Sequence, residues 1–258
     1  MKPDISEFSY GYAITEELIR GVLPPITAAP VFPSLIEEGQ AGFDVKLSPG
    51  GIPLFLQFKV CDCMVRDTAR EVRTSRLTTP FYRMHLRPAR HSAQHQLLLN
   101  LETAGYAVYY VAPSFHLPLD LNNHYVSGLV AQNSIFVPPS VIGRLPDAEN
   151  HYLAFRPNGP YWFFSEPKRI NVPLNANVFC MQVLERIASE ATTTDSAVMW
   201  ASLSRKMIHI IETSGHEREL GLEMPHFGAN VPPTRIVAYL TRSYFGSELL
   251  VARRGEKK

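Results

Sequence analysis

Proline interrupts this chain twenty-one times in 258 residues. Each proline removes a backbone N–H and fixes φ, so it stops helices and is confined to edges or bulges of sheets. The chain must therefore be built from short elements joined by many turns and loops. No internal repeat or low-complexity tract offers a simpler architecture.

Between the prolines the pattern alternates between helix and strand periodicity. Residues 13–21 read as a first helix, with Thr15 as a cap and Gly21 ahead of Pro24 and Pro25 as its stop. Residues 32–40 read as a short helical segment. Residues 42–47 and 53–60 read as two strands around the turn Ser48-Pro49-Gly50-Gly51, which predicts a hairpin. A basic helix is expected over 66–76 and a strand over 81–86. Residues 92–104 form a helix capped by Ser92, with Ala93, Leu97, Leu98 and Leu101 as its apolar stripe. Residues 106–112 form an apolar strand.

Beyond that point residues 114–175 read as mostly loop, with strands at 152–155 and 161–164. Helices are expected over 176–188, 196–213 and 232–242, and a closing strand over 248–252. Helices lying between consecutive strands imply an α/β protein with a layered, mixed α+β sheet. The organisation expected is a core over 1–115 and a helical, loop-rich elaboration over 116–258 packed on it.

The hydrophobic fraction of 45% is enough for a core without staples. No stretch approaches the ~20 apolar residues that cross a bilayer, and the first residues lack a signal-peptide pattern. Cys61, Cys63 and Cys180 have no framework spacing, so a reducing, cytoplasmic setting and no membrane partner are expected. Cys61-Asp62-Cys63 does not have the spacing of a zinc pair.

The predicted hairpin holds the chemistry. Leu54, Leu56, Phe58 and Val60 fall on one face of its second strand, and Gln57 and Lys59 on the other. The turn would bring Asp44 of the first strand beside them. A carboxylate and an amide oxygen suit a hard divalent cation, Mg²⁺ or Mn²⁺. A lysine beside that cation could orient water or stabilise developing phosphate charge.

Asp44, thirteen residues before Gln57-Phe58-Lys59, resembles the D…(D/E/Q)xK signature of PD-(D/E)xK nucleases, and the glutamine form resembles their Mrr-like branch. The resemblance covers about residues 7–112. It implies a restriction-endonuclease-like αβββαβ core and metal-dependent cleavage of phosphodiesters. By motif position Asp44 and Gln57 would bind metal and Lys59 would assist the nucleophile. The family often adds a glutamate from the first helix, for which Glu17 is the candidate and Glu38 the rival. It can also add a polar residue on the helix after the lysine strand, for which Gln94 fits. Two features depart from the family: no strand is evident before the Asp44 strand, and residues 81–86 add one after Lys59.

Net charge is only +1, but Arg66, Arg70, Arg73, Arg76, Arg83, Arg87 and Arg90 face only Asp67 and Glu71 in their segment. They are candidate contacts to DNA phosphates. His91 and His95 are expected to join that basic surface, and His116 to be a satisfied loop histidine. The aromatic run 161–164 reads as a buried strand. No glycine-rich phosphate loop or serine-hydrolase elbow is present. Two functions are expected on these residues. One is a metal-dependent deoxyribonuclease, which the resemblance places in bacterial restriction or anti-phage defence. The other is a catalytically inactive nuclease-like module that binds nucleic acid or protein. Either would act with a partner protein or as a homo-oligomer.

Overall fold

The computed structural model describes residues 1–20, 51–74, 76–164, 167–190, 196–214, 226–228 and 230–252. The elements expected over 32–40 and 42–47, together with Asp44 and Glu38, lie outside them.

Helix α1 spans Glu7–Ile19. It begins six residues before the expected start, because Ser6 rather than Thr15 is its cap: the Ser6 hydroxyl accepts from Ser9 N at 2.9 Å. Its buried stripe is Tyr10, Ala13, Ile14 and Leu18, spaced for one helical face. Gly11 is required there, since a Cβ would stand 2.6 Å from the Phe58 ring.

Strand β1 is Ile52–Phe58 and β2 is Cys61–Met64; α2 is a single turn, Arg70–Arg73. Then come β3 (Phe81–His85), α3 (Gln94–Thr103) and β4 (Ala107–Pro113). The region expected to be loop holds α4 (Pro118–Ser127), β5 (Ser134–Val137) and the short α5 (Pro139–Ile142). Helix α4 escapes a periodicity reading because it has no buried residue at all. Strands β6 (Tyr152–Phe155), β7 (Tyr161–Phe164) and β8 (Lys168–Ile170) precede α6 (Ala176–Glu190) and α7 (Ser196–Ser214). Helix α8 (Pro233–Ser243) and β9 (Glu248–Ala252) follow.

The strands form two sheets. The first has the order β5-β4-β1-β9 and the second β2-β3-β6-β7-β8. β1 and β4 are parallel, with Leu54 opposite Ala107 and Phe58 opposite Val111, and α3 lies in the connection between them. β9 runs antiparallel along the other edge of β1, from Ile52 opposite Ala252 to Leu56 opposite Glu248. The hairpin expected around 48–51 rests on residues 42–47, which lie outside the described residues; over Ile52–Leu56 the edge of β1 opposite β4 is held by the last strand of the chain. A division at residue 115 would cut this sheet, because β5 and β9 complete it.

β1 is buried at all seven positions, so it has no polar face. Leu54, Leu56 and Phe58 join Tyr10, Ile14 and Leu18 of α1 and Phe179 and Val183 of α6 in one cluster. Phe55 points to the other side, among Leu97, Leu101, Leu203, Val237 and Leu240 of α3, α7 and α8. Met84, Leu153, Phe155 and Phe163 of the second sheet enter the same cluster. Each such side chain contributes about 2 kcal/mol on burial, so the layers are held chiefly by these two cores. Among the described residues no helix is long and apolar enough to cross a membrane.

Candidate functional site

The carboxyl ends of β1 and β4 lie side by side, a position where open α/β sheets commonly form ligand crevices. Gln57 is the next residue after Phe55 on its side of β1 and is 6% exposed. Its Oε1 accepts from Gln94 Nε2 at 2.9 Å, at the start of α3. Its own Nε2 donates to Phe58 O at 3.1 Å, and Gln94 Nε2 also donates to Phe245 O at 3.1 Å. Two of the residues singled out from the sequence are therefore joined directly.

Gly246 makes this pairing feasible. It sits at φ +57°, and a Cβ there would stand 2.3 Å from Gln94 Nε2 and 3.5 Å from Gln57 Oε1. Gly246→Ala should lose about 2 kcal/mol, from left-handed backbone strain and displacement of Gln94. Thermal melts would check this, and an unchanged melting temperature would refute the packing described.

Lys59 follows β1 directly. Its N–H donates to Val111 O at 2.9 Å, which continues the pairing with β4 past the strand end. The residue is 6% exposed, and its ammonium makes no hydrogen bond or ion pair among the described residues. Burial lowers its pKa; the Glu7 carboxylate raises it and the Arg87 guanidinium lowers it further, with a net downward shift. A desolvated, unpartnered cation of this kind has strong affinity for any anion that reaches it.

Glu7 is the acidic residue that the sequence reading missed. It is exposed in the first turn of α1 and is the carboxylate whose field reaches Lys59. The signal for it was Ser6 as a cap ahead of Tyr10, Ile14 and Leu18. Glu17, expected near the metal, is occupied elsewhere. It is 4% exposed and accepts from Val130 N at 2.7 Å and Ala131 N at 3.1 Å. Beside it Tyr10 donates to Ser134 Oγ at 2.7 Å, and Ser134 donates to Val130 O at 2.7 Å. These contacts fasten α1 to the turn before β5. Glu17→Gln can satisfy only one of the two N–H groups and should cost about 2 kcal/mol. A melt would show that loss, and any activity of the site per folded molecule should be unchanged.

The seven arginines separate into roles. Arg83 is committed to Glu71 (Nε to Oε1 2.7 Å, Nη2 to Oε2 2.6 Å). Arg90 pairs with Glu149 at 2.8 Å. Arg70 and Arg76 lie over the rings of Phe164 and Trp162. Arg66, Arg73 and Arg87 are exposed and make no ion pair among the described residues. The basic helix expected over 66–76 shortens to the four residues of α2.

Two histidine expectations change. His95 is buried, with ring nitrogens 2.9 Å from Tyr110 Oη and 2.7 Å from Gly143 O, so it is a core residue and no part of a basic surface. His116 is buried and neither ring nitrogen has a hydrogen-bond partner among the described residues. Cys61 and Cys63 are free and buried, and burial pushes the Cys61 thiol well up. Among the described residues no three His, Cys, Asp or Glu side chains gather as a metal site. No protein-family model matches the chain, and neither the curated proteins nor the solved structures contain a detectable relative.

Proposed function

We propose that the chain is a metal-dependent deoxyribonuclease whose site lies at the carboxyl ends of β1 and β4. The observation that carries this reading is Lys59: a largely buried lysine two residues from Gln57, whose ammonium makes no hydrogen bond or ion pair among the described residues and feels the Glu7 carboxylate. Proteins do not keep such a charge for stability, because its desolvation opposes folding. It serves where an anion must be held, and a phosphodiester is an anion of suitable charge and size.

In this reading Gln57 Oε1 retains one lone pair beyond its bond to Gln94. Gln57 and Asp44 would be the oxygen donors for Mg²⁺ or Mn²⁺. When bound, such an ion would polarise the phosphoryl oxygens and lower the pKa of water. Lys59 would then stabilise charge on the phosphate or orient the attacking water. Gln94 positions Gln57. The resemblance to Mrr-like nucleases adds a role in bacterial restriction or anti-phage defence, with a partner protein or a second copy supplying further DNA contacts.

A second reading, a nuclease-like module that binds without cleaving, is favoured by one observation. Gln57 Oε1 already accepts from Gln94 and its Nε2 donates to Phe58 O, and Gln57 keeps little exposure. Supercoiled plasmid and single-stranded DNA, incubated with Mg²⁺, Mn²⁺ or EDTA, separate the two. Metal-dependent cleavage lost in Lys59→Ala establishes the nuclease. Absence of cleavage with every metal, from folded protein, rejects it in favour of the binding module.

A further inference from the structure

The second sheet carries a surface that the β1 site does not use. In an antiparallel sheet directly opposed residues share a face. Trp162 opposes Ala154 and Arg169, Phe164 opposes Tyr152, and Ala154 opposes Arg83. These residues therefore lie on one face, the face away from the main core. The segment containing α2 lies across it, with Ala69, Leu77, Phe81, Ala154 and Phe164 as its small apolar cluster.

Guanidinium groups cover the aromatic rings of this face. Arg70 lies 5.9 Å from the Phe164 centroid, Arg76 5.2 Å from Trp162, and Arg83 4.9 Å from Tyr152. Arg156 donates to Thr78 Oγ1 at 2.9 Å, which draws a fourth guanidinium to the same segment. Arg73 and Arg169 are exposed. The acidic groups among the described residues are fewer: Asp62, opposite Arg83, pairs with Lys2 and His85. Glu71 is consumed by Arg83, and Asp67 accepts from Thr79 Oγ1 at 2.6 Å. Arg70, Arg73, Arg76, Arg156 and Arg169 have no carboxylate partner among the described residues.

Two donors on this face also have no acceptor. Arg76 Nε and the Trp162 indole N–H are buried and make no hydrogen bond among the described residues, and they belong to the two residues stacked on each other. Burying an N–H without an acceptor costs about 1–3 kcal/mol. Two such donors lie side by side, beneath guanidiniums that have no carboxylate partner among the described residues, and an acceptor-rich anion would suit them. Stacking on a ring fixes the guanidinium plane, and Arg70, stacked on Phe164, is exposed, so its N–H groups can reach a phosphate.

We propose that this arginine-on-aromatic face is a docking surface for the phosphate backbone of a polynucleotide, separate from the β1 site and able to bind without it. An acidic protein would meet the same charge. The polynucleotide is preferred because its phosphates recur at close, regular intervals and accept bidentate contacts from each guanidinium. The identity of the polyanion rests on the reading of the chain as acting on phosphodiesters; the surface itself does not.

The test uses the full chain in EDTA, so that cleavage cannot intervene. A fluorescein-labelled oligothymidylate and a duplex of equal length are titrated at several salt concentrations, with polyglutamate as competitor. Wild type should bind at least one of the two, with a log–log salt slope near about −3 for four or five phosphates on the single strand. Trp162 fluorescence should change on binding, whereas Trp200, 4% exposed in the core, reports nothing. The triple variant Arg73→Glu, Arg156→Glu, Arg169→Glu, which alters only exposed side chains, should weaken binding at least about 30-fold and lose about 2 from that slope. Arg76→Met should weaken binding and abolish the Trp162 response.

No binding by wild type at low salt, equal binding by the triple variant, or displacement by polyglutamate as effective as by oligonucleotide would each overturn the proposal. Binding of either nucleic acid that depends on these arginines, with no cleavage under any metal, would leave this surface standing and reject the nuclease. Cleavage with undiminished binding by the triple variant would do the reverse.

Discussion

Replacing Lys59 by methionine is expected to make the protein more stable while lowering the metal-dependent cleavage proposed above. Methionine is close to lysine in length and apolar, so it can occupy the same space without a charge. Lys59 is 6% exposed, burial lowers its pKa, and its ammonium makes no hydrogen bond among the described residues. Removing a charge held in that way should add about 1 kcal/mol to stability. If the ammonium stabilises the transition state, its loss should lower the rate by about 10²–10³-fold, as for other preorganised electrostatic groups.

The pH dependence of the stability difference follows from the direction of the shift. The folded-state pKa of Lys59 lies below its unfolded value, so the unfolded chain binds the proton more tightly. The disadvantage of wild type against Lys59→Met is then complete below the folded pKa. It shrinks as pH rises through that value and vanishes above the unfolded pKa, whose ordinary value is 10.5. Chemical denaturation from neutral to strongly alkaline pH measures it. A variant less stable than wild type at neutral pH would show that Lys59 is a structural cation, and the functional reading would lose its main support.

Glu71→Ala should destabilise the second sheet more than any other exchange of one polar residue considered for this protein. Glu71 is fully buried, and both its oxygens are held by Arg83, whose side chain is 19% exposed. Burial alone would raise the Glu71 pKa, but the hydrogen bond and charge of Arg83 outweigh it and hold the carboxyl below its usual value. The alanine variant leaves a half-buried guanidinium against Phe81 and Tyr152 with no counter-charge, a loss of about 3 kcal/mol. For a chain of this size that lowers the melting temperature by roughly 6–12 °C. Because the native pKa is depressed, the contribution is present above the unfolded carboxyl pKa and disappears as pH falls through the folded one. The gap between wild type and Glu71→Ala should therefore close in acid. Adding Arg83→Met to Glu71→Ala should recover much of the loss, since it removes the stranded charge. If the single variant melts with wild type, the pair does not hold α2 to the sheet.

Much of the secondary structure was legible in the chain because periodicity and turn residues act locally. The strands at 152–155, 161–164 and 248–252 and the helices of the C-terminal half stand where their apolar spacing placed them. Gln57 and Gln94 were legible as polar residues at the ends of apolar elements, and the fold joins them across 37 positions by one hydrogen bond.

Three things required the tertiary structure. The neighbour of β1 is the last strand of the chain, because strand pairing is decided by which edges meet in three dimensions and no local signal encodes it. Glu17 and Glu7 are both on α1. Only the position of the turn before β5 decides that one carboxylate caps backbone N–H groups while the other faces Lys59. The arginine segment read as uniform positive charge. The folded chain divides it into a buried pair with Glu71, guanidiniums stacked on rings contributed from eighty or more residues away, and exposed cations. Sequence fixes which groups a protein has and how each short stretch folds. Which of those groups remain without a partner is decided by packing between distant segments, and at Lys59, Arg76 and Trp162 that is where the functional readings begin.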